Sequence, residues 1–585
     1  MKKLSVVFSA LILLACGGND EGTSGKIDFS AGPDVRVHEL SDAQMLNPVN
    51  YSDATAGYIL SNIFQQLLSI DFKTLDLVPV LAKSRPDIVT TPEGKLHITY
   101  VLRDEATWDD GTPITAKDVE FSLKVIKCPK VDNMNNKPYF EFIEDMIFYP
   151  ENPKKFTFVC KEVYILSEAM SGDIPVLPSK VYDPENILSK YTVKDFATRF
   201  EELSSNPDIM RFASNFNSEK YQREKDFIKG SGAYELEEWI TGQKIVLKRK
   251  QNWWGDKVKE NRNIYFEANP PKLIYQTIND QTTALVALKK GDIDVMQGIK
   301  PKDFSELPNS SKFTENFNAY TPSQLAYVYV GINMRNPKFS DVKTRQALAH
   351  LFDIDRIIKV INYGYAEPAV GPIHPSKKDE FNPNIKPYPF DVAKAKQLLQ
   401  ESGWTDTDND GILDKTIDGK KVPFETTIIY NSGNDTRKAI CLMFQEVARQ
   451  VGIKVNVQTL EWSIFLDKTK NHDFDMYVGA WISTPIPTDH KQIYHTESYN
   501  GGSNYVGFGN DYTDSLINQI RVTLDVEKRK QLQWKFQEIL HDQVPYIFLY
   551  YPKERLAIHK RFDNAEPSVM RPGYREAAFK LKQLQ

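Results

Sequence analysis

The stretch WDDGTPITAKDVEFSLKVI, Trp108–Ile126, decides how this chain is read, because it holds a turn and a helix start within a few residues of each other. Just before it, HITYVLR (His97–Arg103) has the β-branched and aromatic content of a strand. Asp110-Gly111 is a turn dipeptide. Thr115 stands where a helix opens, and Asp118 falls in its first turn, where free N–H groups and the helix dipole favour an acid. The segment therefore reads strand, turn, helix.

Working outward, the same alternation recurs. Thr426–Tyr430 is a short β-rich run, and Thr436–Gln450 places Ala439, Ile440, Met443, Phe444 and Val447 on one helical face, with Val451 one turn on. Gly452 stops that helix, and Ile453, Val455 and Val457 then alternate as a strand does. This is a βαβ unit. Asp391 caps a further helix that turns Val392, Ala395, Leu398 and Leu399 inward and ends at Gly403. The fold class is α/β, and 585 residues exceed one ordinary core, so at least two lobes are expected.

Lys2 and Lys3 precede an apolar run, Leu4 to Leu14, that is too short to span a bilayer and has the composition of an export signal. Residues 1–15 are read as a signal peptide and 16–26, rich in Gly, Ser and Thr, as a flexible tether. Leu13-Leu14-Ala15-Cys16 resembles the lipobox of bacterial lipoproteins, which implies cleavage before Cys16 and lipidation of its thiol. The rest, 41% hydrophobic and 26% charged over the whole chain, is globular in composition. A net charge of −5 with Lys and Arg dispersed gives no basic stripe for nucleic acid.

With Cys16 lipidated, Cys128, Cys160 and Cys441 allow either one bridge, Cys128 to Cys160, or three buried thiols. No CxxC, HExxH, Walker loop, GxGxxG or GxSxG stands in the chain, so the usual local signatures of zinc, nucleotide and serine-hydrolase sites are missing. A non-enzyme without a cofactor is expected.

The combination of Leu81-Ala82, Leu102-Arg103, Trp108-x-Asp110-Gly-Thr-Pro113 and Thr115-Ala116-x-Asp118-Val119 resembles the family 5 extracellular solute-binding proteins of ABC importers, which include oligopeptide, dipeptide and nickel binders. Four further blocks follow in the family's order: Gly230-Ser-Gly-Ala-Tyr234 with Trp239, Gly242 and Asn252-Trp253-Trp254; Leu288 to Asp294; Asn333, Phe339, Val342 and Arg345-Gln-Ala-Leu348; and Asp355-Arg356. The resemblance implies a two-lobe, hinged periplasmic-binding-protein fold with an inserted subdomain. It puts 27–75, 225–320 and 545–585 in the first lobe, 76–224 in the insert and 321–544 in the second lobe. It also implies a monomer that carries a peptide or other small solute to permease subunits, exported to the periplasm or cell surface and held to the membrane through Cys16. A sensor or chaperone on the same fold, or a binder of a nickel complex or an oligosaccharide, is the alternative.

Ligand contacts are expected where second-lobe strands end. Gly479-Ala480-Trp481 resembles the family's G-x-W segment, and Trp481 is the leading contact. Three residues on, where peptide binders of the family keep an acid for the ligand's α-amino group, stands Thr484. Either Asp489 replaces that acid, or the ligand is not held by a free N-terminus. The same resemblance adds Ser52, Ala54, Tyr139, Tyr327 and Tyr329, while Asn431 stands just after a strand and offers an amide. Separately, Asp406, Asp408 and Asp410 with Gly411 have the spacing of a calcium loop, although Ile417 stands where its bidentate Glu belongs.

Overall fold

Two large sheets organise the chain, described for residues 27–133 and 137–583 in a computed structural model. The signal peptide and Cys16 lie outside the described residues. The first sheet has seven strands, in the order Phe317–Tyr320, Leu556–His559, Val295–Met296, Val35–Glu39, Lys272–Thr277, Lys244–Arg249 and Tyr234–Ile240. Val35–Glu39 lies inside it, parallel to both neighbours, with Val35 and Val37 fully buried. The second sheet has six strands, in the order Ala366–Pro368, Tyr546–Pro552, Ala326–Ile332, Met476–Ile482, Glu425–Asn431 and Lys454–Leu460.

The chain passes between the sheets after Tyr320 and again after Pro552. A return to the first lobe at 545 is therefore too early: Tyr546–Pro552 pairs along Ala326–Ile332 and belongs to the second sheet. The insert carries a four-stranded antiparallel sheet, Asp87–Thr90, Leu96–Val101, Lys155–Cys160 and Ile143–Phe148. Its side chains run into one hydrophobic core with the first sheet, so it is not packed as a separate body.

The local chemistry accounts for these elements. Helix Ala116–Lys127 opens with a capping box, Thr115 N donating to the Asp118 carboxylate at 2.8 Å. Helix Asp435–Arg449 runs between the parallel strands Glu425–Asn431 and Lys454–Leu460, and Gly452 takes a φ of +80° beyond its end. Asp391 accepts from Lys394 N at the start of Val392–Glu401.

The motif blocks prove to be structural joints. Gly230 and Gly232 lie so close to helix Ala54–Ile63 that an added Cβ would sit 2.2 Å from Ile63 O and 2.4 Å from Asn62 O. Trp253 and Trp254 both donate indole N–H to Ser231 O, at 2.8 and 3.0 Å. Asp294, fully buried, binds Arg36 at 2.8 Å and also Arg561, tying the first strand to the chain's last part. Arg345 donates to the carbonyls of Phe339, Ser340 and Gln543, and its burial pulls its pKa down to about 10.

Cys128, Cys160 and Cys441 are free and buried, which settles the choice against a bridge, and burial pushes the Cys128 thiol up to about 11. No helix among the described residues is long and apolar enough to cross a membrane.

Candidate functional site

A cleft with two adjoining chambers runs between the sheets. The first, about 1050 Å³, is walled by Tyr51 and by Leu60 of helix Ala54–Ile63, by Tyr139, Tyr164 and Asp173 of the insert, and by Tyr327, Trp481, Thr484 and Asp489 of the second lobe. The second, about 1250 Å³, shares Lys377, Ile486 and Pro487 with the first and is closed on the first-lobe side by Phe72, Arg262 and Arg575.

Strand alternation places Trp481 in the first chamber. Met476–Ile482 pairs antiparallel with Ala326–Ile332, so that Trp481 stands opposite Tyr327 and Gly479 opposite Tyr329. Trp481 is half-buried and lies near Tyr505, with ring centroids 6.4 Å apart and planes 22° from parallel. Its indole N–H is buried and donates to no described residue, leaving a donor at the chamber wall.

Several expected contacts lie elsewhere. Tyr329 is buried beneath the wall, its hydroxyl 3.2 Å from that of Tyr477, and Gly479 exists to admit it, since a Cβ there would sit 2.6 Å from the Tyr329 oxygen. Ala480 is exposed on the other face of its strand and does not line either chamber. Ser52 and Ala54 are exposed and also outside the lining; their neighbour Tyr51 reaches the chamber instead, lying over Gly57. Asn431 is spent locally, its side-chain oxygen accepting from Arg437 at 2.7 Å and its amide donating to Ser432 O.

Two of the acids that line the first chamber, Asp489 and Asp173, differ sharply. Asp489 is engaged: it accepts from Arg521 Nε at 2.9 Å, from the Tyr164 hydroxyl at 2.9 Å and from Lys491 N at 2.9 Å. It therefore joins the second lobe to the insert and is not a free replacement for the acid missing at Thr484. Asp173 makes no side-chain hydrogen bond or ion pair among the described residues, its only bonds being from its backbone N–H to the carbonyls of Ala169 and Met170. Asp173 is exposed to the cleft, and crowding by the chamber walls, which displaces water around its carboxyl, pushes it up to about 7. The Tyr51 hydroxyl beside it is pushed up to about 12, by the same crowding and by the Asp173 charge.

The calcium-like loop does not assemble as its spacing suggests. The carboxylates that converge are Asp406, Asp408 and Asp414, while Asp410 turns back to accept from Ile412 N at 2.8 Å. Lys421 Nζ lies 2.6 Å from Asp408 and 3.2 Å from Asp414, and the Asp406 oxygens accept from Asp410 N and Gly411 N. Lys421 thus lies against two of the three converging carboxylates and supplies part of the charge that an ion would.

A profile of the bacterial extracellular solute-binding proteins, family 5, middle region, matches residues 76–504. The chain belongs to that family. Its fold is the two-lobe α/β arrangement of the family's solved structures. Among family relatives, the oligopeptide-binding protein AppA of Bacillus subtilis is 28% identical over 564 residues, 95% of this chain and 93% of its own length. The structure of AppA in complex with a nonapeptide matches with a TM-score of 0.67 at 25% identity, covering 94% of this chain and 99% of that one. NikZ from Campylobacter jejuni, in complex with Ni(L-His), has the same fold with a TM-score of 0.66 at 23% identity, covering 93% and 96%. Both the family and these relatives are defined by binding. Family motifs led to Trp481, Thr484, Tyr139 and Tyr327, which line the chamber. They did not lead to Tyr51, Asp173 or Arg575, which stand in no motif and become visible only when the lobes are assembled.

Proposed function

We propose that the chain captures a peptide-like solute in the cleft and delivers it to the permease of an ABC importer, as a monomer exported from the cell and anchored through a lipidated Cys16. The observation that carries the reading is the unpaired Asp173 carboxylate in the Trp481 chamber. A buried or half-buried ammonium needs a counter-charge, and an aromatic wall beside it accommodates a side chain without selecting one. The volume agrees. Each chamber matches or exceeds the upper range of small-molecule pockets, about 1000 Å³, which suits a chain of several residues better than a single metal chelate. Membership of the solute-binding family supports capture and release by closure of two lobes, with ligand favouring the closed state by touching both.

The test is mass spectrometry of solute that co-purifies with the protein from its native host, followed by thermal-shift screening against defined peptides. Recovery of peptides, with stabilisation by the same sequences, is the expected result. If no peptide is recovered and none stabilises the protein, while a nickel complex or an oligosaccharide does, the peptide reading is wrong.

A further inference from the structure

We infer that Arg575 forms a subsite in the second chamber that captures the α-carboxylate of the bound peptide. This rests on the peptide reading above and adds a polarity to it. Arg575 is only 8% exposed, and its guanidinium makes no hydrogen bond or ion pair with any described residue. Its one contact of note is stacking over Tyr265, with the guanidinium carbon 4.5 Å from the ring centroid. Stacking covers a face of the planar group and leaves its edge free: Nε is buried without a partner, and the two terminal nitrogens, which are not enclosed, bond to no described residue.

The neighbours do not supply the missing acceptor. Glu576, next in the chain, turns away to accept from Asn62 at 2.8 Å and from the Tyr275 hydroxyl. Glu267, which lines the same chamber, pairs with Arg262 at 3.3 Å. The other arginines of this chamber are engaged. Arg85 grips Glu168 with two bonds of 2.6 Å, Arg262 also donates to the Gly255 and Phe266 carbonyls, and Arg529 donates to the carbonyls of Thr523 and Leu524. Arg575 also borders a recess of about 10 Å³ shared with Asn62 and Gln65, room for one water, which would serve one nitrogen and leave the rest of the fork.

A largely buried cation at the wall of a ligand chamber, with no described counter-charge, is matched best by a planar anion that accepts two parallel bonds. The free end of a peptide is such a group. Asp173 lies in the chamber beyond the shared residues Lys377, Ile486 and Pro487, so the two unpaired charges face a cleft ligand from opposite chambers.

The experiment uses the full-length mature protein and a library of four- to six-residue peptides without Asp or Glu, prepared once as free acids and once as C-terminal amides. Retained species are counted by mass spectrometry after equilibrium dialysis. Wild type is expected to retain the acids at least about tenfold better than the amides, as for a charge-assisted bond to a largely buried cation. Arg575→Gln is expected to remove that preference while still retaining amides. Arg575→Lys, which keeps the charge but loses the fork, is expected to reduce the preference at least about threefold. Equal retention of acids and amides by wild type overturns the assignment and leaves the peptide reading standing. So does an undiminished preference in Arg575→Lys, which decides the matter even where Arg575→Gln fails to fold. Retention of neither form by wild type overturns both readings.

Discussion

In the chamber around Trp481 stands a carboxylate, Asp173, that no described side chain answers; in the chamber beside it stands a buried guanidinium, Arg575, that no described side chain answers either. Some cleft charges are answered from within the protein, as Asp489 is by Arg521 and Lys377 by Glu380, while Glu141, Glu162, Lys378 and Asp379 line it without an ion pair among the described residues. The difference between these two wall positions teaches that a ligand spanning both chambers meets an acid at one and a buried cation at the other, each left by the fold without a described partner.

The comparison can be broken first at its apolar end. Trp481→Ala removes the aromatic wall and an unspent donor, and is expected to weaken binding of a co-purified peptide by about 2 kcal/mol, roughly thirtyfold, in isothermal titration calorimetry. An effect below about threefold would show that Trp481 belongs to the packing of the second lobe and not to the site.

Asp173→Asn tests the acidic end, with an expected loss of about tenfold that is confined to peptides with a free amino terminus. An equal loss for N-acetylated peptides would sever Asp173 from ammonium recognition. The same residue sets a pH dependence. Its carboxyl is raised from 3.8 to about 7, so the charged form that a cation needs is depleted as pH falls through 7, and affinity is expected to decline between pH 8 and pH 6. Stability of the ligand-free protein moves the other way. A carboxyl whose folded pKa exceeds its unfolded value binds more protons when folded, so its contribution falls as pH rises from about 4 to about 7. Glu39, buried and raised to about 8 with only Thr55 among the described residues donating to its carboxyl, acts in the same direction, so melting curves of wild type and Asp173→Asn across that range separate the two.

The smallest expected effect lies outside both chambers. Millimolar calcium is expected to move the melting temperature by less than about 1 °C, because Lys421 already occupies the acidic loop. In Lys421→Gln a calcium-dependent rise would show that the lysine alone excludes the ion.

Fold and site were legible in the sequence to different degrees. The cap at Thr115, the stop at Gly452 and the βαβ unit between Glu425 and Leu460 were readable because local chemistry dictates them. The motif blocks were readable too, and the structure explains why they are recognisable: Gly230, Gly232, Trp254, Asp294 and Arg345 hold the skeleton together through contacts that admit few alternatives. Cleft residues obey no such rule. Trp481 was found because it adjoins a motif, whereas Asp173 and Arg575 are set apart by the absence of partners, which depends on segments hundreds of positions away. The same dependence misplaced Tyr329 and Gly479, whose alternation was right but whose face turned out to be packed against Tyr477 and Tyr546.

The order in which the sheets draw on the chain has a consequence for biogenesis. All six strands of the second sheet fall between Ala326 and Pro552, whereas the first sheet needs Val35–Glu39 at one extreme and Leu556–His559 at the other, locked by Asp294 to Arg36 and Arg561. A chain emerging from its N-terminus, at a ribosome or through a translocation pore, therefore completes its second sheet before its first, and its earliest strand waits for nearly the whole polypeptide before it can be enclosed.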